Sequence, residues 1–76
     1  MSDVIFRVTL NDQFVDFFLC QRWGEAQREA ADFYNKKHNT NLSWVDFDSK
    51  WISAKLYDSY GIDIEEIKSR YNRKEE

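Results

Sequence analysis

The stretch VIFRVTLNDQFVDFFLC, residues 4–20, decides the fold of this chain. Its first residues alternate, with Val4, Phe6 and Val8 facing one way and the residues between them facing the other. A period of two is typical of a strand with one buried face. Asn11-Asp12 then suits a tight turn, because both residue types tolerate a positive φ angle. The stretch therefore predicts a β-hairpin of strands 4–10 and 13–20.

Folding the chain about this turn predicts a register for the hairpin. A simple two-residue turn sets Arg7 against Asp16 and Ile5 against Phe18. Opposite charges that face each other across two strands stabilise a hairpin, so the Arg7–Asp16 pair favours this register.

A second interpretation of residues 13–20 stays open at this point. Val15, Leu19 and Trp23 are spaced by four, which is also typical of one face of a helix. In that case a long helix would begin near Asp12 and replace the second strand.

Three helices are predicted after the hairpin. An apolar stripe of Trp23, Ala26, Ala30 and Phe33 predicts a helix over 23–37. Ser43 is a good N-cap for a second helix over 44–60, and Gly61 suits the left-handed position after it. The third helix, 64–71, follows the N-cap Asp63.

These elements predict an α+β fold in the order ββααα. Residues 1–71 are predicted to form a single compact domain, and residues 72–76, four of which are charged, a solvated C-terminal tail. At 76 residues the chain is near the lower limit for a core without disulfides or metals.

Composition limits the classes of function. The net charge of −3 gives no general attraction to nucleic acid or to anionic lipid. The single cysteine, Cys20, cannot form an internal disulfide, and no apolar run approaches the length of a membrane span. We therefore expect a cytoplasmic protein without a membrane association.

No catalytic site, metal site or cofactor is predicted. His38, the one histidine, lies at a predicted helix end beside lysines, where a capping or solvent role is expected. Cys20 ends an apolar strand, which favours a small buried side chain over a nucleophile. Asp46 and Asp48 are close in sequence but lack the spacing of a calcium loop.

The chain is rich in aromatic residues, with three Trp, four Tyr and six Phe. Exposed aromatic surface usually marks a partner-binding site. Trp44 and Trp51 are seven residues apart and would share one face of the second helix, bordered by Asp48 and Asp58. We expect this face to bind another protein. The alternative is that both tryptophans belong to the core.

The hairpin is a second candidate surface. Its outer face would carry Ile5, Phe14 and Phe18, and its edges are open to pairing with a partner strand or with a second copy of the chain. A homo-oligomer through the hairpin is therefore a further expectation. The alternative is that a helix covers this face and that all three side chains are core.

Nucleic-acid binding is the alternative function. Helices 44–60 and 64–71, joined through Gly61, resemble a helix-turn-helix in outline. However, the would-be recognition helix opens with three carboxylates, which would face phosphates. The basic residues that would contact nucleic acid are Lys36, Lys37, Lys68, Arg70 and Arg73.

Together these features predict a non-catalytic protein-binding module. Small size, acidity and a bias toward residues with AT-rich codons suggest a phage or mobile-element inhibitor or modulator of a host protein.

Overall fold

The computed structural model of the protein describes residues 3–72, with side chains described through Arg70. The strands and helices are β1 (Val4–Leu10), β2 (Gln13–Cys20), α1 (Trp23–His38), β3 (Phe47–Ile52), α2 (Tyr57–Tyr60) and α3 (Ile64–Asn72). Short 3-10 turns, Trp44–Asp46 and Ala54–Leu56, flank β3. The last predicted tail residues, 73–76, lie outside the described residues.

The described chain is a small, compact α+β domain built on a three-stranded antiparallel sheet. The strand order is β2-β1-β3, so β1 is central and the other two strands are edges. The α+β class is confirmed. The order of elements differs from ββααα, because a third strand lies between α1 and the two later helices.

The hairpin is confirmed, and residues 13–20 are a strand. Asn11 and Asp12 form the turn with φ angles of 52° and 66°. Both central residues of a type I′ turn need such left-handed angles, and Asn and Asp adopt them more readily than most residues. Leu10 pairs with Gln13 across the turn, as predicted.

The rest of the hairpin register is shifted by one residue. Thr9 pairs with Phe14, but Val8 pairs with Asp16, so Val15 is an extra residue in β2. Such a β-bulge moves every later side chain of the strand to the other face. Arg7 consequently lies opposite Phe17, and the predicted Arg7–Asp16 pairing was wrong.

Both faces of the sheet are covered. On one face α1 packs against a buried cluster that includes Phe6, Val8 and Phe47. On the other face Ile67 of α3 forms a second cluster with Ile5 and Ile52. Burial of large apolar side chains on both faces supplies most of the stability of such a small domain.

The predicted helix over 44–60 was wrong for most of its length. Ser43 does act as a cap, since its Oγ accepts a hydrogen bond from the backbone N–H of Val45 at 3.4 Å, but only a 3-10 turn follows. Residues 47–52 then pair with β1 as a strand. A two-stranded hairpin leaves one side of β1 without hydrogen-bond partners, and β3 satisfies those groups.

The entry to α3 agrees with the prediction. Gly61 has a φ angle of 70°, the left-handed conformation that ends α2. The carboxylate of Asp63 accepts hydrogen bonds from the N–H groups of Glu65 and Glu66 at 3.1 and 3.3 Å. Ile62 and Ile67 join the same buried cluster, so the chain enters this helix at a fixed angle.

Candidate functional site

The two edges of the sheet differ in how they are covered. At β2, the Arg70 guanidinium donates to the Phe17 carbonyl at 3.3 Å and to the Asp16 carboxylate at 3.1 Å. The bulge also interrupts pairing at this edge. Both features block the addition of another strand to β2.

The β3 edge is open at its centre. Leu10 and Gln13 flank the two-residue turn, so the N–H and C=O of Leu10 point toward β2. Because these groups alternate in direction along a strand, Thr9, Arg7 and Ile5 direct theirs toward β3. By the same alternation Asp48 and Lys50 bond to β1, whereas Ser49 and Trp51 direct their N–H and C=O groups away from the sheet. Within residues 3–72, no hydrogen bond from another element reaches those outward groups of Ser49 or Trp51.

The start of β3 is closed by the protein itself. The N–H of Phe47 donates to the Trp44 carbonyl, and the Gln27 amide nitrogen donates to the Phe47 carbonyl. Gln27 is buried, and its Oε1 has no hydrogen-bond partner among the described residues. The open part of the edge therefore begins after Phe47.

The most exposed large apolar side chains belong to β3 and to two elements close to it, the start of α1 and the turn before the strand. Trp23, Val45 and Trp51 are the most exposed of the large hydrophobic residues, at 63%, 61% and 58%. The Ser49 hydroxyl donates to the Trp23 carbonyl at 3.0 Å, which places the start of α1 over the centre of β3. Ser49 and Trp51 share the α1 side of the strand, since alternate residues of a strand face the same way. We call these three residues and the edge from Asp48 to Trp51 the β3 surface.

The other side of β3 carries charge. Asp48 and Lys50 are exposed and lie next to each other on the side away from α1. Their neighbours on β1 are Thr9 and Arg7. Lys50 therefore faces a like charge within the molecule, which leaves its ammonium group without a cross-strand partner on β1.

The two predicted tryptophans do not share a helix face. Trp44 is half-buried against the α1-side cluster, and the Arg28 guanidinium stacks over its ring at 4.9 Å from the centroid. Trp51 is exposed and belongs to β3. Of the two flanking carboxylates, Asp48 is on the same strand as Trp51 but on its other side, whereas Asp58 is exposed on α2.

The predicted hairpin surface is divided between the two faces of the sheet. Ile5 and Phe18 are both buried, and the bulge places them on opposite faces. Phe14 remains exposed, at 49%, between Phe17 and the guanidinium of Arg7. The alternative prediction, that all three side chains belong to the core, is therefore right for Ile5 and Phe18 and wrong for Phe14.

The helix-turn-helix arrangement is absent from the described residues, because 47–52 is a strand. Lys36 pairs with Asp32 at 3.3 Å, and Lys37 lies 5.7 Å from the centre of the Phe33 ring. Lys68 is exposed on α3. Arg70 is held by Asp16, and Arg73 lies outside the described residues.

The structure places Cys20 in the core and His38 against an aromatic ring. Burial, followed by the nearby carboxylates of Glu29 and Glu25, raises the pKa of the Cys20 thiol to about 12. His38 stacks on Tyr34, with ring centroids 4.3 Å apart. No group of three or more His, Cys, Asp or Glu side chains in the described part is arranged to hold a metal ion.

Sequence reasoning missed Trp23 and Val45 as surface residues. Trp23 was assigned to the apolar stripe of α1, whereas it lies in the first turn of that helix, beside a shallow depression lined by Arg22, Glu25 and Arg28. Val45 lies in a 3-10 turn, where the sequence predicts the start of a helix. Residues 47–52, FDSKWI, do not alternate between apolar and polar side chains, so the sequence carries no period-two signal for a strand in this region.

Comparison with protein-family models, with curated proteins and with solved structures found no match to this chain. Among the described helices, none combines the length and the apolar character that crossing a bilayer requires. The β3 surface is therefore interpreted from its own geometry.

Proposed function

We propose that this chain is a non-catalytic protein-binding module that engages its partner through the β3 surface. The observation that carries the proposal is the position of Trp51, an exposed tryptophan on the open edge of a sheet whose other edge is covered. Tryptophan is the residue type most enriched at binding hot spots. An open strand edge can also form main-chain hydrogen bonds with a partner, which strengthen binding.

Two further features support this surface over the other exposed residues. Trp23 and Val45, on the elements next to β3, are as exposed as Trp51, and Asp48 and Lys50 carry charge on the other side of the strand. An apolar centre bordered by charged groups is the usual composition of a protein–protein interface. Phe14 is exposed as well, but its ring is packed against Phe17 and Arg7.

A module of this kind acts by occupying part of its partner, so we propose that it inhibits or modulates another protein. The acidic, AT-biased composition supports a phage or mobile element as its source and a host protein as its target. We place it in the cytoplasm, where a single unpaired cysteine is normal.

The test is a capture experiment with immobilised protein and nuclease-treated cell lysate. We expect the wild-type chain to retain a defined protein and Trp51→Ala to lose it. Phe14→Ala is the matched control, because it removes an exposed aromatic side chain from a different surface and should leave capture unchanged.

Two results contradict the proposal. Equal capture by the wild type and Trp51→Ala would exclude the β3 surface. Bound material that disappears with nuclease would favour the nucleic-acid alternative instead, and Lys36, Lys37 and Lys68 would then be the residues to substitute.

A further inference from the structure

We propose that a second copy of this chain docks on the open edge of β3, in antiparallel register, with Ser49 facing Ser49 of the second copy across a twofold axis. The two sheets would join into one continuous sheet of six strands. This inference rests on the proposed function, because it names an occupant for the same β3 surface.

The backbone of β3 suits this register. Ser49 directs both its N–H and its C=O outward, so two copies can exchange a pair of hydrogen bonds at the axis. Phe47 lies opposite Trp51 of the second copy in this register. The N–H and C=O of Phe47 already bond to Trp44 and Gln27, so the backbone pair exchanged between the two copies is the one at Ser49.

The charged side chains of two β3 strands are complementary when the strands run antiparallel. With Ser49 on the axis, Asp48 faces Lys50 of the second copy, and symmetry repeats the pair. Opposite charges directly across two strands are stabilising, and like charges are destabilising. The attraction would also give Lys50 the cross-strand carboxylate that it lacks on β1, where it faces Arg7.

The three most exposed large apolar side chains belong to elements that this register would bring together. Trp23 is tied to Ser49 by the 3.0 Å hydrogen bond, so two copies of Trp23 would approach each other between the two α1 helices. Trp51 would lie over the start of β3 of the second copy, beside Val45. The three most exposed large hydrophobic residues would thus be covered by one contact.

The second edge of the sheet does not offer the same contact. Arg70 occupies the outward carbonyl of Phe17, and the extra residue Val15 interrupts the regular pattern of β2. A symmetric pair through β3 therefore closes the edge that residues 3–72 leave open, which also protects it from uncontrolled strand addition.

The experiment is sedimentation equilibrium of the wild type and of charge-reversed variants, from about 1 µM to about 1 mM protein. We expect the wild type to move from the 9.2 kDa monomer toward twice that mass as its concentration rises. Asp48→Lys alone, or Lys50→Asp alone, replaces both attractive pairs by repulsive ones. Each should raise the dissociation constant of the dimer by about tenfold or more.

Mixing the two variants is the decisive step. Asp48→Lys and Lys50→Asp carry complementary strands, so an equimolar mixture should regain the dimer mass. Asp58→Lys is the matched control, because it makes the same charge change at an exposed residue outside the β3 surface. Far-UV circular dichroism of each variant verifies that the fold is retained.

Three results would overturn the inference: a wild type that stays at 9.2 kDa throughout, single reversals that dimerise as tightly as the wild type, or a mixture that remains monomeric. A monomeric wild type that still captures a protein through Trp51 would overturn the dimer and leave the proposed function standing. A dimer that captures no other protein would support the inference and contradict the proposed function.

Discussion

The guanidinium of Arg70 lies 3.1 Å from the carboxylate of Asp16 and joins α3, the last helix, to the outer strand of the sheet. The β-bulge pairs Asp16 with Val8 instead of Arg7, and its carboxylate contacts Arg70 at the edge of the sheet. Arg70 also donates to the Phe17 carbonyl at 3.3 Å. One side chain thus secures α3 and covers the β2 edge.

Arg70→Ala should lower the free energy of unfolding by about 1–2 kcal/mol, because it removes two partly buried, charge-assisted hydrogen bonds. Chemical denaturation measures the change. Lys68→Ala, on the same helix but exposed, is the control and should change stability by less than about 0.5 kcal/mol. Equal effects of the two substitutions would show that the Arg70 contacts add nothing.

Asp12 lies in the hairpin turn with a positive φ angle of 66°, so the effect of a substitution on stability should depend on how well the new residue adopts that angle. Asp12→Gly should stabilise the protein, since glycine adopts this angle without steric strain. Asp12→Val should destabilise it by about 1–3 kcal/mol, because a β-branched residue is strained there. Thermal unfolding of both variants checks the order, and a more stable valine variant would contradict the turn assignment.

Substitutions of Trp44 and Trp51 should have different effects on stability, because only Trp44 packs on the core. Trp44→Ala removes a ring that packs on the core and under Arg28, so it should lower the unfolding free energy by about 2–4 kcal/mol. Trp51→Ala removes an exposed ring and should change stability by less than about 1 kcal/mol. Denaturation of the two variants would contradict this account if Trp51→Ala were the more damaging change.

The buried thiol of Cys20 should make stability fall at alkaline pH. Its pKa is raised from 9.0 to about 12 by burial and then by nearby carboxylates. Between those values the unfolded chain has lost the thiol proton and the folded chain still holds it. The contribution of the Cys20 thiol to the free energy of unfolding is therefore complete below pH 9 and is lost as pH rises toward 12.

Between the two pKa values, titration of Cys20 should lower the free energy of unfolding by about 1.4 kcal/mol per pH unit. It is measured as the difference between the wild type and Cys20→Ala, since other groups titrate equally in both. We expect the stability of the wild type to fall relative to that of the variant above pH 9. Parallel curves would mean that Cys20 titrates normally in the folded protein.

Local signals in the sequence predicted the hairpin turn, α1 and the caps around α3. Asn11-Asp12, Gly61 and Asp63 have backbone roles that follow from their own chemistry, so they could be assigned without knowing the rest of the fold. The bulge at Val15 could not be predicted, because it depends on which face of β2 receives Phe18 under α1.

The candidate site was predicted only in part. Trp51 and Asp48 were chosen for a helix face, yet both lie on the surface of a strand. Residues 47–52 became that strand because β1 needed a second partner, which is a requirement of tertiary structure that the local pattern does not contain. Trp23 was missed for the same reason, since its place over β3 depends on that strand.

The most direct test of the open edge is amide hydrogen exchange at β3, followed by NMR. In dilute protein the amides of Ser49 and Trp51 should exchange fast, whereas those of Asp48 and Lys50, which bond to β1, should exchange slowly. At high concentration, or with a captured partner, Ser49 and Trp51 should become protected. Amides of Ser49 and Trp51 that are slow at every dilution, or fast under all of these conditions, would contradict the assignment of β3 as the docking edge.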